Sequence, residues 1–222
     1  MRTCPGCTCF LLLAVTSAFA TPIEAWHPVH NGAGVRVEQR QHAGSPLQEV
    51  RGRTRLCAAM DAVMALLQDA DFNDQWVYRS GGARILARDG DSRAYVYGVV
   101  DAPWPMQDRD TVVRFDAQME AGTGVITITI TNEADYIAPV DGLVRVPEFG
   151  GFWELRPQTD GAVLVTYQVY GHPGGVIPIW LANRAAARSV LFTLRNMPAA
   201  VRRYETGGTA RPAELSCRAA QQ

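Results

Sequence analysis

The sequence predicts an α+β domain in which one long C-terminal helix covers a face of a curved antiparallel sheet. Three observations predict it. Two alternating segments lead into a short helix, a long run of β-rich segments separated by glycine-containing turns follows, and an amphipathic helix comes last. Such a helix either packs flush against the sheet or arches over its concave face and encloses a cavity.

Of the 222 residues, the first twenty read as a secretory leader. Arg2 is the only charge before Glu24, the apolar run Phe10–Val15 follows, and Ala18-Phe19-Ala20 has the small-x-small form of a cleavage site. The alternative, an uncleaved anchor, needs a longer apolar span of about 20 residues. Export places the domain in the periplasm or outside the cell. Cys4, Cys7 and Cys9 leave with the leader, so Cys57 and Cys217 remain; an oxidising compartment suggests one disulfide between them, against two unrelated buried thiols. Without Arg2 the chain carries 20 basic and 22 acidic residues, all of the basic ones arginine. Neither a nucleic-acid footprint nor a polybasic membrane patch stands out from that balance.

Val35–Arg40 and Leu47–Arg55 alternate apolar or small residues with charged ones and read as half-exposed strands joined at Gly44-Ser45-Pro46. From Leu56 to Leu67 the period becomes helical, with Cys57, Met60, Val63, Met64 and Leu67 on one stripe. Four β-rich segments follow, Ala83–Arg88, Ser92–Val100, Thr111–Met119 and Gly124–Thr131, an antiparallel meander with glycine-bearing turns at 88–92 and 120–124. Residues 132–147 form a longer excursion. Gly151–Arg156 and Ala162–Tyr170 supply two more strands before Gly171-His172-Pro173-Gly174-Gly175 breaks the sheet. The terminal helix spans Val176–Tyr204, and Pro198 should kink or restart it because it has no N–H to donate.

Four pieces in register carry a resemblance. Trp76, Ala102-Pro103-Trp104-Pro105 leading into Arg109-Asp110-Thr111-Val112, Gly151–Pro157, and Tyr167 through His172-Pro173-Gly174-Gly175 to Asn183 resemble the START (StAR-related lipid transfer) family. The resemblance covers roughly residues 47–204. It implies a helix-grip fold, a curved antiparallel sheet wrapped around the long C-terminal helix with an internal apolar cavity for a lipid. With the leader read above, the chain divides into a signal peptide at 1–20, a START-like lipid-binding domain at 21–205 and a polar tail at 206–222. Two departures stand out: this chain has a leader, and the strand Ser92–Val100 offers Tyr95 and Tyr97 where some relatives carry a buried acid.

Arg109 is the most informative polar residue. The family pattern points it toward the cavity, where its fork would hold a carboxylate or phosphate; the alternative is a structural ion pair with Asp110 or another acid. Tyr95, Tyr97, Trp153 and Tyr167 lie on sheet strands, and aromatic side chains combine apolar area with a polar tip suited to a lipid; each also fits ordinary core packing. Trp104 reads as a rigid turn plug. Trp180 opens the terminal helix, Leu191 belongs to its apolar stripe, and Gly174 and Gly175 form a natural gate hinge. The segment 134–149, with Tyr136, Ile137, Leu143 and Phe149, is either the opposing lip of the entrance or a loop that packs down.

Nothing in the motifs points to chemistry. His27 and His30 share no ligand spacing with a further acid or Cys apart from Glu24, and neither a nucleophile elbow nor a phosphate loop is present. The expectation is a non-enzymatic protein that binds a lipid or other hydrophobic small molecule and carries or senses it. It uses no cofactor or metal, makes transient membrane contact, binds no nucleic acid and leaves its oligomeric state open. The alternative is a polyketide cyclase or aromatase on a related helix-grip scaffold, using Arg109 and a tyrosine. A third class is an envelope assembly protein with a vestigial cavity.

Overall fold

A computed structural model describes residues 25–205 and Cys217. The expected leader, and the expected tail apart from Cys217, lie outside the described residues.

The elements are β1 (His27–Gly32), β2 (Val35–Gln41), β3 (Gln48–Leu56), α1 (Met60–Gln68), β4 (Ser80–Asp89), β5 (Arg93–Val100), β6 (Arg109–Met119), β7 (Ile126–Asn132), β8 (Val144–Arg145), β9 (Glu148–Pro157), β10 (Val163–His172) and α2 (Ile179–Ala200), with a final 3₁₀ turn at Val201–Tyr204. They form one open sheet in the order β1-β2-β3-β10-β9-β7-β6-β5-β4, with short β8 beside β6. Every pairing is antiparallel except β6 with β8. The expected meander is β4 to β7, and the expected C-terminal helix is α2 followed by the 3₁₀ turn.

Three elements differ from expectation. Strand β1 has no apolar alternation to announce it; it is held by pairing to β2 through Ala33-Gly34, both at positive φ (50° and 73°), the conformation a two-residue hairpin demands. Helix α1 begins at Met60 because Leu56 still pairs with Val163 in the ladder. Pro198 does not restart α2, which runs on to Ala200 before tightening. Met197, Ala200 and Val201 are buried around it, so packing holds the last turn despite the missing donor.

The helix does both things open to it. Its C-terminal half packs flush on β3, where Gly52 leaves room: a Cβ there would stand 2.4 Å from Leu194 Cδ1 and 2.5 Å from Val190 Cγ1. Val190, Thr193, Leu194 and Met197 are buried in that contact, whereas no residue of the helix before Val190 is. The N-terminal half therefore stands off the sheet. Its tie is Asn183, whose carbonyl accepts from Gln39 Nε2 and whose Oδ1 accepts from the Gln48 amide, both at 3.0 Å.

The segment between β7 and β8 packs down on the outer face of the sheet. Arg145 pairs with Asp110 through Nε and Nη2 at 3.0 and 2.9 Å and also donates to the carbonyls of Ala134, Ile137 and Ala138, while Tyr136 stacks on Tyr95 with ring centres 4.5 Å apart. At the far end of the molecule Cys57 and Cys217 form the expected disulfide, with Cα atoms 5.6 Å apart.

Candidate functional site

Between α2 and the inner faces of β4 to β7, β9 and β10 lies a cavity of about 710 Å³. Strand alternation decides what faces it. On β5 the inward residues are Ala94, Val96, Gly98 and Val100; on β6 they are Arg109, Thr111, Val113, Phe115 and Ala117. Ile128 and Ile130 of β7, Trp153 of β9 and Tyr167 of β10 continue the wall, and α1 and its following turn add Met64, Leu67 and Trp76. The lining is mostly apolar, and its polar side chains, among them Arg109 and Thr111 on β6, Tyr167 and Tyr170 on β10 and Arg184 and Arg188 on α2, set what can bind.

Arg109 is the first of them. It is 8% exposed, faces the cavity and has no carboxylate partner among the described residues. Nη1 donates to the Gln107 carbonyl and Nε is buried without a partner. The expected pair with Asp110 does not form, because consecutive residues of a strand point to opposite faces and Asp110 is already held by Arg145 outside the cavity. A guanidinium in the cavity wall without a counter-ion has donors that can hold an anion.

Trp153 and Tyr167 sit opposite one another on paired strands and stack with ring centres 3.8 Å apart; Trp76 tilts against Trp153 at 6.3 Å. Burial pushes the Tyr167 hydroxyl well above the ordinary tyrosine range, so it stays protonated and serves as a neutral hydrogen-bonding group. It has no hydrogen-bond partner among the described residues.

Arg109, Trp153 and Tyr167 are thus brought together on the cavity wall, and other expected residues are not. Tyr95 and Tyr97 point to the opposite face: Tyr95 stacks on Tyr136, and Tyr97 lies under the Arg84 guanidinium at 5.0 Å. Tyr97 is pushed up by burial and by neighbouring Asp110, on that same outer side. Trp180 and Leu191 line a second groove of about 500 Å³ between α2 and the β1–β2 hairpin, outside the main cavity. Trp104 plugs nothing; it is 92% exposed, although its neighbours Pro103 and Met106 reach the cavity rim. Gly174 and Gly175 take positive φ (71° and 64°) between Pro173 and Ile177, which both line the cavity, and the Gly174 amide donates to His172 Nδ1 at 3.1 Å. Of the segment 134–149 only Val146 and Phe149 reach the cavity.

Phe115 and Val113 were not singled out from the sequence, and Met64 and Leu67 were read only as part of the apolar stripe of the short helix. Counting every second residue onward from Arg109 finds Val113 and Phe115.

A long helix gripped by a curved antiparallel sheet around an apolar space defines a helix-grip binding domain. Comparison with known proteins narrows the class. No protein-family model matches the chain. An uncharacterized protein of Pseudomonas aeruginosa is 32% identical over 177 residues, covering 80% of this chain and 87% of that protein. The crystal structure of a STAR-related lipid transfer protein fragment from Xanthomonas axonopodis aligns with a TM-score of 0.74 at 37% identity, covering 80% of this chain and 98% of that one. Human phosphatidylcholine transfer protein is 25% identical over 142 residues, 63% of this chain and 65% of that protein. The chain belongs to the START (StAR-related lipid transfer) family.

Proposed function

We propose that this protein binds one lipid carrying an anionic group in the cavity and moves it between membranes without chemistry. The observation that carries the reading is Arg109, a buried guanidinium on the cavity wall with no acid partner among the described residues. The drive is desolvation: at ~25 cal/mol per Å², removing a few hundred Å² of apolar ligand from water contributes several kcal/mol. Kinship with lipid transfer proteins supports the same reading.

Trp153 and Tyr167 pack against the chain of the ligand, and the Tyr167 hydroxyl offers one neutral hydrogen bond within the cavity. The leader and the disulfide support residence in the periplasm, where the carrier meets each membrane transiently. A cyclase would use Arg109 with a tyrosine as acid. Tyr95 and Tyr97 stand on the wrong face for that.

The test is mass spectrometry of an organic extract of the purified protein. Near-stoichiometric anionic lipid, depleted in Arg109→Met, is the expected result. An extract empty of lipid, or one whose lipid is unchanged in that variant, overturns the reading.

A further inference from the structure

We infer that the ligand of this cavity is a single-chain fatty carboxylate, held at its head by Arg109 and extended along β6, and not a two-chain phospholipid. The inference rests on the lipid-carrier reading and names the chemical class within it. Size comes first. A methylene fills the volume of one liquid water, ~30 Å³, so a cavity of about 710 Å³ holds about 24 of them. A fatty acid of about 18 carbons has about 20 heavy atoms and fits, whereas a phospholipid with two such chains has about 50 and does not.

The shape agrees with the size. From Arg109 to Ala117 the inward face of β6 follows a contour of roughly 26 Å at a strand rise of ~3.3 Å per residue. Spread along it, the cavity gives each residue step about 90 Å³, room for about three methylenes. A zigzag chain of ~1.5 Å bonds advances roughly 1.3 Å per carbon, which puts about two to three methylenes in each step. One extended chain therefore fills the space. Polarity falls along the same strand: Arg109 and Thr111 stand at one end, Val113 follows, and Phe115 and Ala117 lie at the other end beside Ile128 of β7. A ligand that suits both ends is polar at one tip only.

Arg109 selects the head. Nη1 is taken by the Gln107 carbonyl, and neither Nε nor Nη2 has a hydrogen bond among the described residues. These two nitrogens share one edge of the planar fork, whose parallel N–H groups match the two oxygens of a carboxylate. The other arginines that reach the lining, Arg79, Arg88, Arg93, Arg184 and Arg188, are exposed. Arg109 is thus the one buried positive charge of the wall among the described residues, and one carboxylate neutralises it. A phosphate monoester carries about two negative charges at neutral pH and would bury the second unpaired.

Calorimetric titration of the delipidated, disulfide-bonded protein tests this. Straight-chain carboxylates of about 10 to 22 carbons should bind with affinity rising roughly tenfold for each added pair of methylenes and levelling off at about 20 carbons, where the strand contour is filled. Ala94→Leu, which adds about three carbons to the wall beside Phe115, should move that plateau down by about three carbons in a variant whose melting curve shows it folded. Hexadecanol, which has the chain without the charge, should bind more weakly than palmitate by a factor of about ten or more, and Arg109→Met should abolish the difference. Palmitate bound no more tightly than hexadecanol, lysophosphatidic acid bound more tightly than palmitate, or a plateau that Ala94→Leu leaves in place overturns the inference. So does two-chain phosphatidylglycerol recovered from the purified protein and bound more tightly than palmitate, a result that leaves the carrier reading intact. An empty extract with no binding of any of these lipids removes both.

Discussion

At Arg109 two energetic outcomes part company. A buried arginine in an ion pair leaves its acid uncompensated when it is removed, at a cost of about 3 to 5 kcal/mol. Arg109 has no such acid among the described residues, so Arg109→Met should hold or raise the melting midpoint of the lipid-free protein while affinity for anionic lipid falls at least tenfold. Thermal melts with and without lipid check this, and a large fall in the lipid-free midpoint contradicts it. Gly52 makes the opposite case, a residue whose importance is purely steric. Gly52→Ala should destabilise by about 1 to 3 kcal/mol in denaturant titration, because the new methyl group meets Val190 and Leu194 at well under contact distance. How far such residues were legible depended on which face they occupy. Alternation told that Tyr95 and Tyr97 share a face but not which one. The large aromatic residues drew the assignment inward, whereas the cavity takes the small ones, Ala94, Val96 and Gly98, because it needs room. Arg109 was legible because the family pattern fixed its direction.

The elements were mostly legible, since strand and helix periods survive in the sequence wherever one face is buried. β1 was not, because its residues are largely exposed and its pairing is backbone to backbone. Nor did the pattern of α2 disclose that its two halves are held differently. The C-terminal half is tied by Tyr204, whose hydroxyl donates to Asp69 at 2.6 Å, and by Asn196, which donates to the Trp76 carbonyl at 2.8 Å. Burial and then Asp69 push the Tyr204 hydroxyl up to about 12. A folded value above the ordinary one of about 10 means the stabilisation is complete below pH 10 and is lost as the pH climbs toward 12. Melts of Tyr204→Phe should be less steep than wild type across that alkaline window, and parallel curves would contradict the assignment. The N-terminal half depends on Asn183, so Asn183→Ala should speed release of a fluorescent lipid several-fold in stopped flow, with a midpoint little changed. An unaltered rate would mean that this half of the helix does not govern passage. Proline fits neither Gly174 nor Gly175, since both sit at positive φ and proline is confined to negative values.

At the scale of the whole molecule, total and local charge differ: the overall balance is near zero, whereas the stretch 161–204 holds five arginines and no acidic residue. The disulfide was legible from the two cysteines outside the expected leader, and it spans a sequence separation of 160 residues. Closing so long a loop restricts the unfolded chain by about 5 kcal/mol on the entropic estimate, and removal of such bonds usually costs about 2 to 5. Cys57→Ser with Cys217→Ser should lower the thermal midpoint accordingly, and an unchanged midpoint would assign the bond no share in stability. The same bond has a topological result. Everything from α1 to α2, the greater part of the cavity wall, belongs to a single covalent hoop. A protease that cuts this hoop once, in the exposed stretch around Val140, opens it into a line without releasing either side. Nicked protein should run as one band without reductant and as two with it. The protein can thus survive a cut between β7 and β8 with β4 to β7 still fastened to β9, β10 and the long helix.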